Sequence, residues 1–263
     1  MIWQKAGNVI EKARKTGALH PISATTIEHE VHNVHFTYHL RNQLAEKKPH
    51  QLTQTSNPFL PHEAAMFVDS LGDNHKVLLN KFPVLSPHLL VCSNTFINQS
   101  QALTESDLNA WHDVLSENNA SQTNTHRLGF FNSAPTAGAS QPHRHMQVIE
   151  VQHPLTPFME AFQQWLPNKT LSLRYSSPMQ LYQAYQEALQ RLSLLRPDQD
   201  SSPHNILLTE HNIWLIPRSD VQYLGIYANG LNFSGHFLLK DQTQLDWLKT
   251  QNPFDILAKL IKV

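Results

Sequence analysis

The sequence holds one cysteine, Cys92. That excludes an internal disulfide framework and any cysteine-built zinc site. Cys92 lies in the apolar run Leu89-Leu90-Val91-Cys92 with no activating neighbour, and reads as a buried, inert thiol. Charge is also scarce. Charged residues make up 16% and the formal net charge is −1, so no field is available to hold nucleic acid or an anionic membrane. No apolar run approaches the ~18 residues that span a bilayer. The N-terminal stretch MIWQKAGNVIEKARK lacks the continuous apolar core of a secretory leader. The expectation is a cytoplasmic protein that binds neither nucleic acid nor membrane. Internal repeats and low-complexity segments are absent. So are the Walker lysine motif, GxGxxG and GxSxG, which leaves kinase, dinucleotide-fold and hydrolase-elbow readings without support.

What is present suits a folded domain. The 263 residues include 40% apolar side chains, enough for a substantial core in one large or two small domains. Ile2, Ala6, Val9, Ile10 and Ala13 have helical spacing over 2–16, with Gly17 as a stop. Residues 65–68, 76–84 and 88–92 read as strands, with Asp73-Asn74 as a turn. Thr104 to Asp107 opens a helix as a capping box, stapled by Leu103 and Leu108. A short helix is expected over 158–166, after Pro154 and Pro157. Ser177-Pro178 starts another. Residues 205–209 and 212–217 form a hairpin, 235–240 a late strand, and 242–249 and 255–261 helices. Hairpins of short strands with helices in separate blocks predict an α+β fold with a mainly antiparallel sheet flanked by helices. The polar stretch 196–204 is the one candidate boundary.

Histidine is abundant, at 17 residues. His29, His32 and His35 match no metal-ligand spacing, and Val31, Val34, Phe36 and Tyr38 around them suggest a strand with solvated faces. Lys47-Lys48 reads as surface. Lys81, beside Asn80, interrupts an apolar strand. It either meets an anion there or lies at the strand's exposed end.

The most informative stretch is Leu128 to Val151. Two apolar runs flank a loop of small residues, followed by His143-Arg144-His145-Met146-Gln147. Period-2 alternation places His143, His145 and Gln147 on one face and Arg144 and Met146 on the other. An imidazole with one bare ring nitrogen can attack phosphorus if the other nitrogen is held by an acceptor. The loop offers backbone amides, the Ser140 hydroxyl and the Gln141 amide to meet the phosphoryl charge.

The segment Asn132-Ser-Ala-Pro-Thr-Ala-Gly-Ala-Ser-Gln-Pro-His-Arg-His-Met-Gln147 closely resembles the signature of diadenosine tetraphosphate phosphorylases, also called ATP adenylyltransferases, in the histidine-triad superfamily. Lys48-Pro49, Asn57-Pro-Phe-Leu-Pro61, Leu79-Asn-Lys-Phe82, Asn205 to Thr209, Pro217-Arg-Ser219 and Asn229 to Lys240 extend the resemblance over most of the chain. It implies a single catalytic domain over 1–263, with a catalytic segment to about 195 and a segment 205–263 completing the substrate site. It implies cleavage of diadenosine tetraphosphate by phosphate to ATP and ADP through an AMP–histidine intermediate. His145 would be the nucleophile, His143 would orient it or donate to the phosphate, and Gln147 stands where hydrolases of the superfamily carry a third histidine. Lys48, Asn80, Lys81, Asn132, Gly138, Ala139, Ser140 and Gln141 would hold the polyphosphate. Asn229, Gly230, Leu231, His236 and Lys240 match the late binding segment. No metal site or obligatory cofactor is implied, Mg2+ entering with the nucleotide if at all, and a monomer or weak dimer is expected. Ala134, Ala137, Arg144, Asn232 and His236 depart from the family pattern. Two other readings stand beside this one. A sugar-1-phosphate uridylyltransferase usually shows HPHxQ and zinc-ligand cysteines, against Arg144 and the single cysteine. A catalytically silent nucleotide-binding protein sits poorly with an intact His143, His145 and Gln147.

Overall fold

A computed structural model of the chain describes residues 1–42, 57–117, 125–197 and 200–262. Helix α1 (Ile2–Lys15) buries Ile2, Ala6, Ile10 and Ala13, and Gly17 follows it in the left-handed region at φ 70°. The histidine-rich stretch is two strands and not one. β1 (Ala24–Val31) and β2 (Val34–Arg41) pair antiparallel up to Val31↔Val34. The two residues between them, His32 and Asn33, both have positive φ, 52° and 61°, the geometry of a type I′ turn. The sequence hid this turn because it contains no glycine.

β3 (Phe67–Leu71), β4 (His75–Leu79) and β5 (His88–Ser93) form a meander, with β4 ending five residues earlier than expected, at Leu79 before Pro83. α2 (Glu105–Ser116) begins at the expected capping box, with Thr104 Oγ1 accepting from the Asp107 amide and Asp107 Oδ2 accepting from the Thr104 amide. β6 (His126–Asn132) and β7 (His145–Val151) follow. α3 (Leu155–Trp165) starts before Pro157, which fits the first turn because its missing N–H has no helical partner there. β8 (Leu171–Arg174), unforeseen from sequence, precedes α4 (Pro178–Arg191), capped by Ser177. β9 (His204–Leu208) and β10 (Asn212–Pro217) are the expected hairpin. The short pair β11 (Gln222–Tyr223) and β12 (Ile226–Tyr227) leads to β13 (His236–Leu239), α5 (Gln242–Lys249) and α6 (Pro253–Ala258). α6 begins earlier than expected, with Asn252 as cap and Pro253 at its first position.

Eight strands form one antiparallel sheet in the order β3-β4-β5-β7-β6-β9-β10-β8. β6 pairs directly with β9, so the sheet continues past the polar stretch 196–204. There Ser201 donates from its amide to Ser100 O at 2.8 Å. A second sheet, β1-β2-β13, has β13 parallel to β2.

Alternation along the strands makes two cores. Val77, Val91, Met146, Val148, Ile206 and Leu215 point to one face, against α1, α2 and α4. Trp111 of α2 lies so close to Gly129 that a Cβ there would stand 2.9 Å from the indole. Phe130, Ile149, Leu207 and Trp214 point the other way, against α3, α5, α6 and the small sheet. Each fully buried side chain of this size contributes about 1.5–3 kcal/mol. Arg144 belongs to the first face. Its guanidinium, 1% exposed, donates to Asp107 Oδ2 at 2.6 Å and to the carbonyls of Gln101 and Ala102. It therefore pins α2 to β7, and its difference from the family pattern does not bear on the substrate side. Burial alone would raise the Asp107 carboxyl, but hydrogen bonds from His75 and Thr104 and the Arg144 charge hold it down, to about 2.

Candidate active site

The second face of the sheet is open at one end. β6 and β7 pair as far as Phe130↔Gln147 and then separate. Beyond that point β7 continues beside β5 to Cys92↔His145, and β6 beside β9 to Asn132↔Asn205. Gln99 bridges the fork. Its Oε1 accepts the His145 amide at 2.8 Å, and its Nε2 donates to Asn132 O at 2.8 Å and His145 O at 3.1 Å. Over the fork lies a cavity of about 550 Å³ that His145 and Gln147 line.

His145 Nδ1 lies 2.8 Å from the carbonyl of His143. A carbonyl only accepts, so Nδ1 carries the proton and Nε2 is left bare. Burial lowers the pKa to about 4, with the His143 carbonyl opposing the shift, so the ring is neutral near pH 7. His143 is less available than expected. It precedes β7, held by an isolated bridge to Asn98. Asn57 Oδ1 accepts the Phe59 amide at 3.0 Å, which turns Asn57 Nδ2 toward His143 Nδ1 at 2.8 Å. His143 Nε2 then donates to Ser93 O at 2.9 Å. With both nitrogens engaged, His143 orients His145 through its carbonyl and has no free N–H for a phosphate.

Gln147 is set in the same way. Asn80 Oδ1 accepts the Phe82 amide at 3.0 Å, Asn80 Nδ2 donates to His88 Nδ1 at 3.1 Å, and His88 Nε2 donates to Gln147 Oε1 at 2.9 Å. Burial pushes His88 down to about 4, with the Gln147 hydrogen bond opposing, which keeps its Nδ1 an acceptor. Gln147 must therefore present its NH2 group to the cavity. The sequence marked Asn80 and Gln147 but not His88, because the contact joins residues 59 positions apart.

The small-residue loop supplies fewer amides than expected. Those of Gly138 and Ala139 already donate to Pro135 O and Ala134 O, and Ala139 does not line the cavity. Ser140 and Gln141 line it, and their amides donate to nothing among the described residues. Gly138, at φ 90°, is required by contact as well as conformation, since a Cβ would lie 2.5 Å from that of Asn229. A buried network joins the loop to the late segment. The Arg218 guanidinium donates to Asn205 Oδ1, Asn205 Nδ2 donates to Asn132 Oδ1 at 2.8 Å, and the Gly230 amide donates to the same oxygen at 2.8 Å. Asn132 is left with its NH2 group for the cavity. Gly230 thus acts behind the lining, while Asn229, Leu231 and His236 belong to it.

The expected lysines fare differently. Lys81 lines the cavity mouth, but its ammonium meets Glu63 Oε2 at 2.6 Å. Lys240 is exposed and away from the lining. Lys48 lies outside the described residues. Cys92 is fully buried on β5, and burial pushes its thiol up. Among the described residues no group of three or more His, Cys, Asp or Glu is placed to hold a metal, and no helix is long and apolar enough to cross a membrane.

The chain is similar to known proteins over nearly its whole length. It is 29% identical to the diadenosine tetraphosphate phosphorylase 2 of Saccharomyces cerevisiae, in an alignment that covers 80% of this chain and 76% of that protein. It is 26% identical to the protein APA1 of the same yeast, over 69% of this chain and 67% of that one. The crystal structure of the yeast Ap4A phosphorylase Apa2 in complex with Ap4A shares the fold, with a TM-score of 0.83, 24% identity and coverage of 99% of this chain and 97% of that chain. The Apa2 complex with AMP gives 0.80, at 24% identity over 98% and 95%. The model of the ATP adenylyltransferase C-terminal domain matches residues 154–262. That of the Ap4A phosphorylase N-terminal domain matches residues 1–164, more than half of the sequence, and the chain belongs to that family.

Proposed function

We propose that the protein is a nucleotidyltransferase that splits diadenosine tetraphosphate with inorganic phosphate, giving ATP and ADP. The observation that carries this reading is the pair of groups at the fork, the bare Nε2 of His145 and the NH2 group of Gln147. His145 Nε2 attacks the α-phosphorus of one adenosine, the bond to the bridging oxygen breaks, and ATP departs with that oxygen. Gln147, Asn132 and the free amides of Ser140 and Gln141 donate to the charge developing on the phosphoryl oxygens. In the second step an oxygen of phosphate attacks the same phosphorus, the P–N bond breaks, and ADP forms with His145 neutral again.

Gln147 favours phosphate over water. An imidazole at this position could move a proton to or from an attacking water. A carboxamide donates hydrogen bonds but does not exchange a proton near neutral pH. The protein works without a resident cofactor, with any Mg2+ arriving on the nucleotide.

The direct test is incubation with labelled diadenosine tetraphosphate, with and without phosphate. ATP and ADP should appear in equal amounts only when phosphate is present, and AMP release at the same rate under both conditions contradicts the reading. In Gln147→His, AMP released without phosphate should rise relative to ADP plus ATP, and an unchanged ratio would show that water is excluded by other means.

A further inference from the structure

Two cavity-lining imidazoles have no part in the steps above. His39 on β2 and His236 on β13 stack at 5.5 Å with their planes 6° apart, and His39 Nε2 lies 3.2 Å from His236 Nδ1. At that distance one proton lies between the two rings and one nitrogen accepts it. The far nitrogen of His39 lies 3.4 Å from Thr26 Oγ1, and His236 Nε2 has no hydrogen-bond partner among the described residues. When His39 donates, His236 carries its own proton on Nε2, where it can be offered to a ligand. When the shared proton belongs to His236, its Nε2 is a lone pair that can take up another. The pair thus sends a donor or an ionisable base into the cavity through one ring.

Among the described residues the cavity offers little positive charge to balance a polyphosphate. Among the described lining residues Lys81 is the one lysine or arginine, and Glu63 already engages it. Burial lowers both rings and carries His236 to about 3, with the neighbouring His39 and then His153 adding to the shift, while Glu28 of β1 opposes it on His39, so both rings are neutral near pH 7 until an anion enters. Glu28 also accepts from Thr37 Oγ1, and His153 stacks on His35.

We infer that the His39–His236 pair, on the wall of the cavity formed by the small sheet, receives a phosphate group of the chain beyond the attacked phosphorus and takes up a proton as that anion enters. This rests on the proposed function. It assigns His39 as a positioning residue acting through His236, and it makes the histidine at 236 a means of linking affinity to pH.

Inorganic tripolyphosphate is a suitable probe, since it carries the charge but no adenylyl group for His145 to accept. Calorimetric titration at about pH 7 in two buffers of unlike ionisation enthalpy reads the protons taken up. Wild type should take up more than His236→Gln and His39→Gln by a substantial fraction of a proton. His236→Gln keeps an amide donor and should still bind, within about tenfold, but with a flatter dependence on pH. Equal proton uptake in wild type and His236→Gln overturns the inference, and so does failure of wild type to bind tripolyphosphate. Phosphorolysis of diadenosine tetraphosphate by the same preparation reads the proposed function separately, because it can succeed when the pair takes up no proton.

Discussion

Asn57 and Asn80 begin two hydrogen-bond chains of the same build that end in opposite chemistry. In each, the asparagine oxygen accepts the amide of a phenylalanine two residues on, which leaves only NH2 to face a histidine Nδ1. The histidine must then donate from Nε2. The chain from Asn57 passes to a backbone carbonyl and, through His143 O, leaves His145 with a bare nitrogen. The chain from Asn80 passes to a side-chain carbonyl and leaves Gln147 with a free N–H pair. A local turn fixes the direction of every later hydrogen bond, and the last acceptor decides whether a lone pair or a donor faces the cavity. No carboxylate takes part in either chain. His75, on the opposite face, meets Asp107 instead, at 2.8 Å, in a purely structural contact.

Removing the end of the first chain should have the largest effect. His145→Asn should abolish the adenylylated protein and lower kcat by on the order of 10⁶. Mass spectrometry after mixing with substrate checks it, and an undiminished adduct would reassign the nucleophile. Asn80→Asp should reverse the second chain. The carboxylate demands a proton on His88 Nδ1, so Nε2 becomes an acceptor and Gln147 turns its oxygen toward the phosphoryl group. Loss of one such donor costs about 10²–10³ in kcat. Activity should partly return as pH falls and His88 gains its second proton. A pH profile parallel to wild type would mean that Gln147 is not held by His88.

Acid should then weaken the fold as a whole. Burial lowers His145 and His204 to about 4, against about 6.5 in an unfolded chain. Between those values the unfolded state binds more protons, so stability is complete above about 6.5 and declines as pH falls toward 4. Each buried histidine contributes up to about 1.4 kcal/mol per pH unit in that window. Denaturant midpoints measured across it should decrease steadily, and a flat profile would contradict neutral burial. The smallest effect is expected from Asn57→Ala, which leaves His143 Nδ1 without a donor. Stability should fall by about 1–3 kcal/mol. kcat should change less than in Asn80→Asp, since the His143 carbonyl still holds His145 Nδ1.

Much of this was legible because the signals are local. The Thr104–Asp107 box, the Ser177-Pro178 start and the alternation along β7 each depend on neighbours in sequence, and each appears in the fold. His145 and Gln147 were legible by residue type, and both line the cavity. What failed depended on distance in sequence. Period-2 alternation sent Arg144 to the far face but could not show that Asp107, 37 positions earlier, awaited it. Of the two roles expected for His143, orienting His145 or donating to the phosphate, sequence could not show that Asn57, 86 positions away, consumes its Nδ1 and leaves the first. The contact between His39 and His236 spans 197 positions. The end of β4 was misplaced for a different reason: Asn80 satisfies its oxygen with the Phe82 amide and so turns the chain out of the strand.

The lone thiol, first noted as inert, gives this protein an internal clock. Cys92 is fully shielded and stands between two strands, opposite Lys76 on one side and opposite His145 on the other. A thiol-specific reagent can reach it only when those strands part. Where closing is faster than reaction, the labelling rate in native buffer reports the free energy of that parting. The sequence needs no engineering for such a measurement, because no second cysteine competes. Ligands that brace the strand carrying His145 should slow the labelling, and the rate would follow the mechanics of that strand without a reaction taking place.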